Sequence, residues 1–219
     1  MTEIYLIRHS VRFMNSNIET YLTDQSNLIK NEKIILSVEG EKRALILSNE
    51  KELQNIDKVY TSNLVRTQAT AKYLCYNQNL KINIDDRLDE RRVGIPNDNE
   101  VTDWFTRQYL DENYKTIGGE SQVDVRNRMY QAICDILKDN VNKRVAVFTH
   151  GYAITFLLLK WCKLINITPL GHLTLSYNDK IILDKKINAP EVFKLTFDNL
   201  ELKKIELIQF DDLEYMDAI

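Results

Sequence analysis

Three cysteines, three histidines and three prolines are all that this chain of 219 residues carries, with six glycines beside them. Cys75, Cys134 and Cys162 stand far apart, with no CxxC pair and no Cys/His spacing of a metal site. That argues against a disulfide-stapled or zinc-built fold and reads as buried free thiols in a reducing compartment. No Pro/Gly linker, low-complexity tract or internal repeat marks a boundary, so one domain over residues 1–219 is expected. No block of lysine or arginine stands out and the net charge is −3, which argues against a broad nucleic-acid or membrane surface. An anionic ligand would need a local basic pocket, because the global field mildly repels it. The longest apolar run, Ala153 to Leu159, is too short to span a bilayer, and no basic segment followed by an apolar stretch opens the chain. A cytoplasmic location is the expectation. The 44% hydrophobic and 28% charged content is ordinary for a folded protein able to bury a continuous core.

Strand and helix patterns alternate through most of the chain. Ile4-Tyr5-Leu6-Ile7 is a short apolar run of the kind buried on both faces of a parallel sheet. Leu36 to Glu41 opens a helix with Ser37 as N-cap and Ala44, Ile46 and Leu47 on or near one face. Asp57 to Thr61 predicts a second strand, about 63 to 74 a helix, and Ile82 to Ile84 a third strand. The stretch from Asp85 to Gly119 reads as loop-rich, with a helix around Trp104 to Leu110 and a break at Gly118-Gly119. Val125, Met129, Ile133 and Ile136 predict a long amphipathic helix. Arg144 to Thr149 is the clearest buried strand, followed by a helix from Tyr152 to about Lys163. Leu173 to Leu183, Phe193 to Phe197 and Leu202 to Leu207 are β-rich, with a turn at Asp198-Asn199, and predict extra strands near a sheet edge. The fold class expected is α/β: a three-layer αβα sandwich with a mostly parallel central sheet and antiparallel edge strands from the C-terminal part.

In such sheets ligands sit at the carboxyl ends of strands. Two of the three histidines fall there: His9 after the first strand and His150 after the strand ending at Thr149. A lone histidine in such a place is as a rule a satisfied core residue. Two at equivalent positions, one preceded by Arg8 and the other followed by Gly151, point to a shared task. Arg8 offers a fixed fork for phosphate oxygens. Thr61 to Thr67 lies at a strand-to-helix junction, whose free N–H groups favour an anion, and Arg66 adds a guanidinium in the first turn. Arg87 to Gly94 carries two adjacent carboxylates, Asp89 and Glu90, either of which could deliver a proton to a leaving oxygen and later activate water. Read alone, that string is a solvated charge run.

Together these residues resemble the histidine phosphatase superfamily, in its phosphoglycerate mutase-like branch. The matches, in order, are Arg8-His9 with Asn15, then Leu36-Ser37-Val38-Glu39-Gly40 with Ala44, then Ser62 to Thr67, Arg87 to Gly94, Gly118-Gly119-Glu120-Ser121 with Arg128, and Thr149-His150-Gly151. They span residues 1 to about 160. The resemblance implies that His9 is the histidine that becomes phosphorylated, that Arg8, Arg66 and His150 surround the phosphoryl group, and that Glu90, not Asp89, is the proton donor. It places Asn15 near the bound phosphate, and Glu120 and Ser121 in a segment closing over the site. Ser10 stands where the family usually has glycine, and Arg12 where many members have serine or threonine, adding a cation for a second anionic group or pointing to solvent. Arg12, Arg91 and Tyr152 are candidates for substrate discrimination. Residues 165–189 match no family pattern.

The expected activity is therefore a metal-independent phosphatase acting on a small phosphorylated metabolite, with no cofactor and no nucleic-acid or membrane partner. Its oligomeric state is open, a homodimer among the options. A mutase uses the same core. The segment between Gly94 and Gly118 has only Arg107 and Lys115 as cations, which favours hydrolysis. A non-catalytic phosphate-binding module would be expected to lack a core residue, and none is missing.

Overall fold

Residues Thr2–Arg8 form the first strand, β1, and its four apolar residues Ile4, Tyr5, Leu6 and Ile7 are fully buried. Burial on both faces follows from the pleat, which sends successive side chains to opposite sides. Ile4 and Leu6 join one core cluster, Tyr5 and Ile7 a second. The strand Arg144–Thr149 (β4) splits in the same way, with Val145 and Val147 on one side and Ala146 and Phe148 on the other. Helices cover both faces. Val38–Ser48 (α1) and Val65–Gln78 (α2) pack Leu47, Ala71 and Leu74 on one. Gln122–Asp139 (α4) and Gly151–Leu158 (α5) pack Met129, Ile133, Ile154 and Phe156 on the other. Between them in sequence lies the short helix Trp104–Leu110 (α3). The computed structural model describes residues 1–14, 31–94 and 104–210.

The central sheet has the order β3-β2-β4-β1-β8-β9, with β2 (Lys58–Thr61), β3 (Ile82–Ile84), β8 (Glu191–Asp198) and β9 (Glu201–Ile208) completing it. β3, β2, β4 and β1 run parallel, β8 pairs antiparallel with β1, and β9 antiparallel with β8. The α/β sandwich with antiparallel strands added at one side is thus the observed fold. Among the described residues, no helix is long and apolar enough to cross a membrane.

The C-terminal strands divide differently from the expectation. Lys163–Ile167 (β5), Leu173–Tyr177 (β6) and Lys180–Lys185 (β7) form a separate antiparallel sheet. Leu173, Leu175 and Leu183 bury in the same cluster as α4 and α5, so this small sheet extends that core. The helix expected to reach about Lys163 stops at Leu158, and a turn carries the chain into β5. Trp161, whose apolar character continues the helical pattern, instead anchors that turn against Tyr130 and Phe197.

Two ladder bonds fix the sheet's carboxyl end. The His9 N–H donates to Thr149 O at 2.9 Å and the Ser62 N–H to Phe148 O at 3.1 Å. Residues 9, 62 and 150 thereby leave three neighbouring strands at one edge, the crevice of an open α/β sheet.

Candidate active site

His9 is buried, and its Nδ1 lies 2.7 Å from Ser10 O. A carbonyl can only accept, so Nδ1 carries the proton and Nε2 keeps its lone pair. Burial first, then the charges of Arg66 and Arg8, hold the ring well below the usual histidine range, so it stays neutral. His150 stands edge-on to His9, with ring centroids 5.1 Å apart. It too is neutral, held well below the usual range by burial and then by Arg66 and His9. Its Nε2 is 2.8 Å from Ser62 Oγ, while its buried Nδ1 has no partner. Ser62 Oγ also meets Thr67 Oγ1 at 2.8 Å and accepts the Leu64 N–H at 3.2 Å. Thr67 Oγ1 lies 2.7 Å from Leu64 O, which can only accept, so Thr67 donates there, Ser62 donates to Thr67, and the single ring proton of His150 sits on Nε2 and is given to Ser62 Oγ, leaving the Nδ1 lone pair without a partner.

Three arginines share this crevice. Arg8 Nη1 donates to the carbonyls of Ile187 and Asn188, and its buried Nε has no partner. Arg66, in the first turn of α2 and 2% exposed, donates from Nη1 to Asn31 O at 2.9 Å and also leaves Nε unpartnered. Burial lowers its guanidinium to about 10, opposed by Glu90, so it remains charged at neutral pH. Arg12 is half-buried, pairs its backbone with Leu36, and depresses Arg8, His9 and Arg66 by its charge. Buried N–H groups without an acceptor are costly, and an anion would complete them.

The chain just after His9 needs a close approach. Val11 O accepts both the Ser37 N–H at 2.9 Å and the Ser37 hydroxyl at 3.2 Å, and Ser37 Oγ caps α1 by accepting the Gly40 N–H. A Cβ on Gly40 would stand 2.0 Å from Val11 O, so only glycine fits.

The loop carrying the carboxylates is held from three sides. Glu90 Oε1 accepts the Arg91 N–H at 2.8 Å and the Ala153 N–H at 3.2 Å, which places it on the first turn of α5 beside His150. Asp89 accepts the Asn63 N–H at 2.8 Å, and burial nevertheless pushes its carboxyl up to about 6. Arg128 donates to the carbonyls of Arg87, Asp89 and Glu90 and pairs with Glu120 at 2.8 Å. Gly94 and Gly119 meet so closely that a Cβ on Gly94 would lie 2.5 Å from Gly119 N. Arg91 is 2% exposed; its Nε donates to Glu120 O, and neither Nη has a partner. A cavity of about 320 Å³ opens here, lined by Leu64, Asp89, Glu90, Arg91 and Glu120 among others.

The model of the histidine phosphatase superfamily (branch 1) matches residues 4–178. The chain belongs to that superfamily. Its relatives include a probable phosphoglycerate mutase GpmB from Yersinia enterocolitica, 25% identical over 72% of this chain and 74% of its own. Phosphoserine phosphatase 1 from Hydrogenobacter thermophilus is 31% identical over 52% of this chain and 58% of its own. Among solved structures, Bacillus stearothermophilus YhfR superposes with a TM-score of 0.63 at 21% identity, covering 93% of this chain and 95% of that one. A mycobacterial glucosyl-3-phosphoglycerate phosphatase gives 0.63 at 18%, covering 94% and 96%. Membership puts this protein among enzymes of the phosphatase/mutase class.

Of the residues singled out from this histidine phosphatase sequence, His9, Arg8, Arg66, His150 and Glu90 converge, with Arg12 and Arg91 at the margin. Asn15 lies outside the described residues. Glu120 holds the Glu90 loop, and Ser121 caps α4 in a reciprocal bond with Asp124. Sequence reasoning passed over the pairing of Ser62 with His150, the carbonyls that hold Arg8, and the buried Glu191; nothing in residue spacing signals them.

Proposed function

We propose that this protein hydrolyses a small phosphomonoester through a phosphohistidine on His9. The observation that carries the reading is the His9 Nδ1–Ser10 O bond, which leaves Nε2 as a lone pair facing a crevice with unpartnered donors on Arg8 and Arg66 and the unpartnered Nδ1 of His150. Nε2 attacks phosphorus and the ester oxygen leaves, taking a proton from Glu90. The Glu90 carboxylate then removes a proton from water, whose oxygen attacks the same phosphorus and releases inorganic phosphate from Nε2. Arg8 and Arg66 bind the equatorial oxygens as their charge redistributes, and the His150 Nδ1 lone pair accepts the proton of a phosphate monoanion beside them. Arg12 and Arg91 lie where a second polar group of the substrate would reach.

Hydrolysis is favoured over transfer because a mutase must retain a second anionic group. The cations between Gly94 and Gly118 are engaged elsewhere, Arg107 over the Tyr114 ring and Lys115 with Asp124 at 3.3 Å. The likeness to a probable phosphoglycerate mutase supports the second reading, phosphoryl return to another hydroxyl.

The test is turnover of p-nitrophenyl phosphate in the presence of EDTA, with detergent-quenched protein kept at alkaline pH and examined for a phosphate adduct that is stable to base and lost in acid. Wild type turns over and traps the adduct; His9→Ala does neither. Equal turnover by His9→Ala sinks the reading. Inorganic phosphate released in step with product separates hydrolysis from transfer, and a panel of phosphorylated metabolites identifies the substrate.

A further inference from the structure

The segment between β7 and β8, residues 186–190, lies beyond the stretch that the family model matches. Ile187, Asn188 and Ala189 are nonetheless all buried. Three successive carbonyls here face arginines from the other end of the chain. Ile187 O and Asn188 O accept from Arg8 Nη1, and Ala189 O from Arg43 Nη1 at 3.5 Å. Two acceptors on one Nη fix the plane of a guanidinium, and for Arg8 they leave Nε on the unsatisfied side, next to Gly151.

What holds the carbonyls is Glu191. Its side chain is 0% exposed, Oε2 accepts the Asn188 N–H at 3.1 Å, and Lys185, the last residue of β7, reaches the same oxygen at 3.0 Å. Glu191 is also directly opposite Arg8 in the β1–β8 register. A carboxylate fully removed from water is expensive and persists where its bonds fix a geometry.

We propose that Glu191 is a positioning residue for Arg8, pinning the Ile187–Asn188 carbonyls that orient the guanidinium, and that the β5–β7 sheet serves the site by delivering Lys185 to it. The proposal rests on Arg8 binding the phosphoryl group. The competing account is an ion pair that only stabilises the fold.

Inorganic phosphate binding, titrated calorimetrically on folded protein, separates the two. Glu191→Ala weakens phosphate binding about tenfold, and Glu191→Gln, which keeps an acceptor for the Asn188 N–H, recovers most of it. In an Arg8→Ala background Glu191→Ala changes binding by less than about twofold, because the interaction it supports is gone. Lys185→Met removes a group at the surface end of the brace, keeps the chain foldable should Glu191→Ala unfold it, and weakens binding about threefold by the same Arg8-dependent route. An unchanged affinity in folded Glu191→Ala or, if that variant unfolds, in Lys185→Met overturns the proposal. So does an equal loss with and without Arg8. If Arg8→Ala itself leaves phosphate binding and turnover intact, the reading of the site has failed instead.

Discussion

Replacing Ser62 by alanine tests how His150 presents its proton. Ser62 is fully buried and its Oγ lies 2.8 Å from His150 Nε2. A neutral imidazole has a single ring proton. With Thr67 committed to Leu64 O at 2.7 Å, the Ser62 hydroxyl donates to Thr67 and accepts the Nε2–H, so Nδ1 keeps its lone pair. In Ser62→Ala the buried Nε2–H has no acceptor, and neither the tautomer nor the ring plane is fixed. The cost is one hydrogen bond that positions the ring, about 1.4 kcal/mol, so kcat falls by about tenfold. A further cost of about 1 kcal/mol in stability follows from the Leu64 N–H losing its acceptor. The assay is steady-state turnover of p-nitrophenyl phosphate, with ¹⁵N chemical shifts of His150 reporting the tautomer and urea denaturation reporting the fold. A folded Ser62→Ala variant with kcat within about threefold of wild type and an unaltered ¹⁵N pattern would refute the relay.

Four further outcomes are expected. Folded His9 and His150 refuse protons that the unfolded chain accepts near pH 6.5, so stability is full above that pH and falls below it, by up to about 1.4 kcal/mol per pH unit for each histidine. Urea denaturation at pH 7 and pH 5 shows this, and His150→Gln flattens the difference. The Asp89 carboxyl, raised to about 6 by burial, produces an inflection in kcat/KM near that pH which Asp89→Asn removes while keeping an acceptor for Asn63. Gly40→Ala drives a Cβ into Val11 O and destabilises by about 3 kcal/mol or more, read as a fall in Tm. Arg128→Ala releases the carbonyls of the Glu90 loop, and kcat drops about tenfold with less change in phosphate affinity, since Arg128 serves the carboxylate and not the anion.

The site's charged core was legible because each member sits at a junction that sequence pattern reveals. His9 and His150 end runs of buried apolar residues, and Arg66 lies in the first turn of the helix that follows β2. Choosing between Asp89 and Glu90 was beyond pattern alone, since a loop has no period. The difference lies in backbone partners, Ala153 N–H for Glu90 and Asn63 N–H for Asp89, far away in the chain. The β6–β7 hairpin and the strands β8 and β9 read correctly as β-rich, but which sheet a strand joins is decided by non-local pairing. The helix from Tyr152 reads on to about Lys163 because Trp161 prolongs the apolar pattern, whereas it stops at Leu158 and Trp161 packs on Phe197. The carbonyls that hold Arg8 could not be read at all, because every residue has one.

β1 is flanked by β4 and β8, and β8 is synthesised last but one among the strands of that sheet. Arg8 and its acceptor Ile187 are separated by 179 residues. At ribosomal speeds that interval is on the order of 10–40 s. Throughout it, Ile4-Tyr5-Leu6-Ile7 is an apolar strand without its final neighbour, a template for mispairing with another nascent chain. A protein shortened to the family-matched residues would keep every histidine and yet carry that raw edge permanently. Solubility during translation, as much as chemistry, depends on the C-terminal strands arriving.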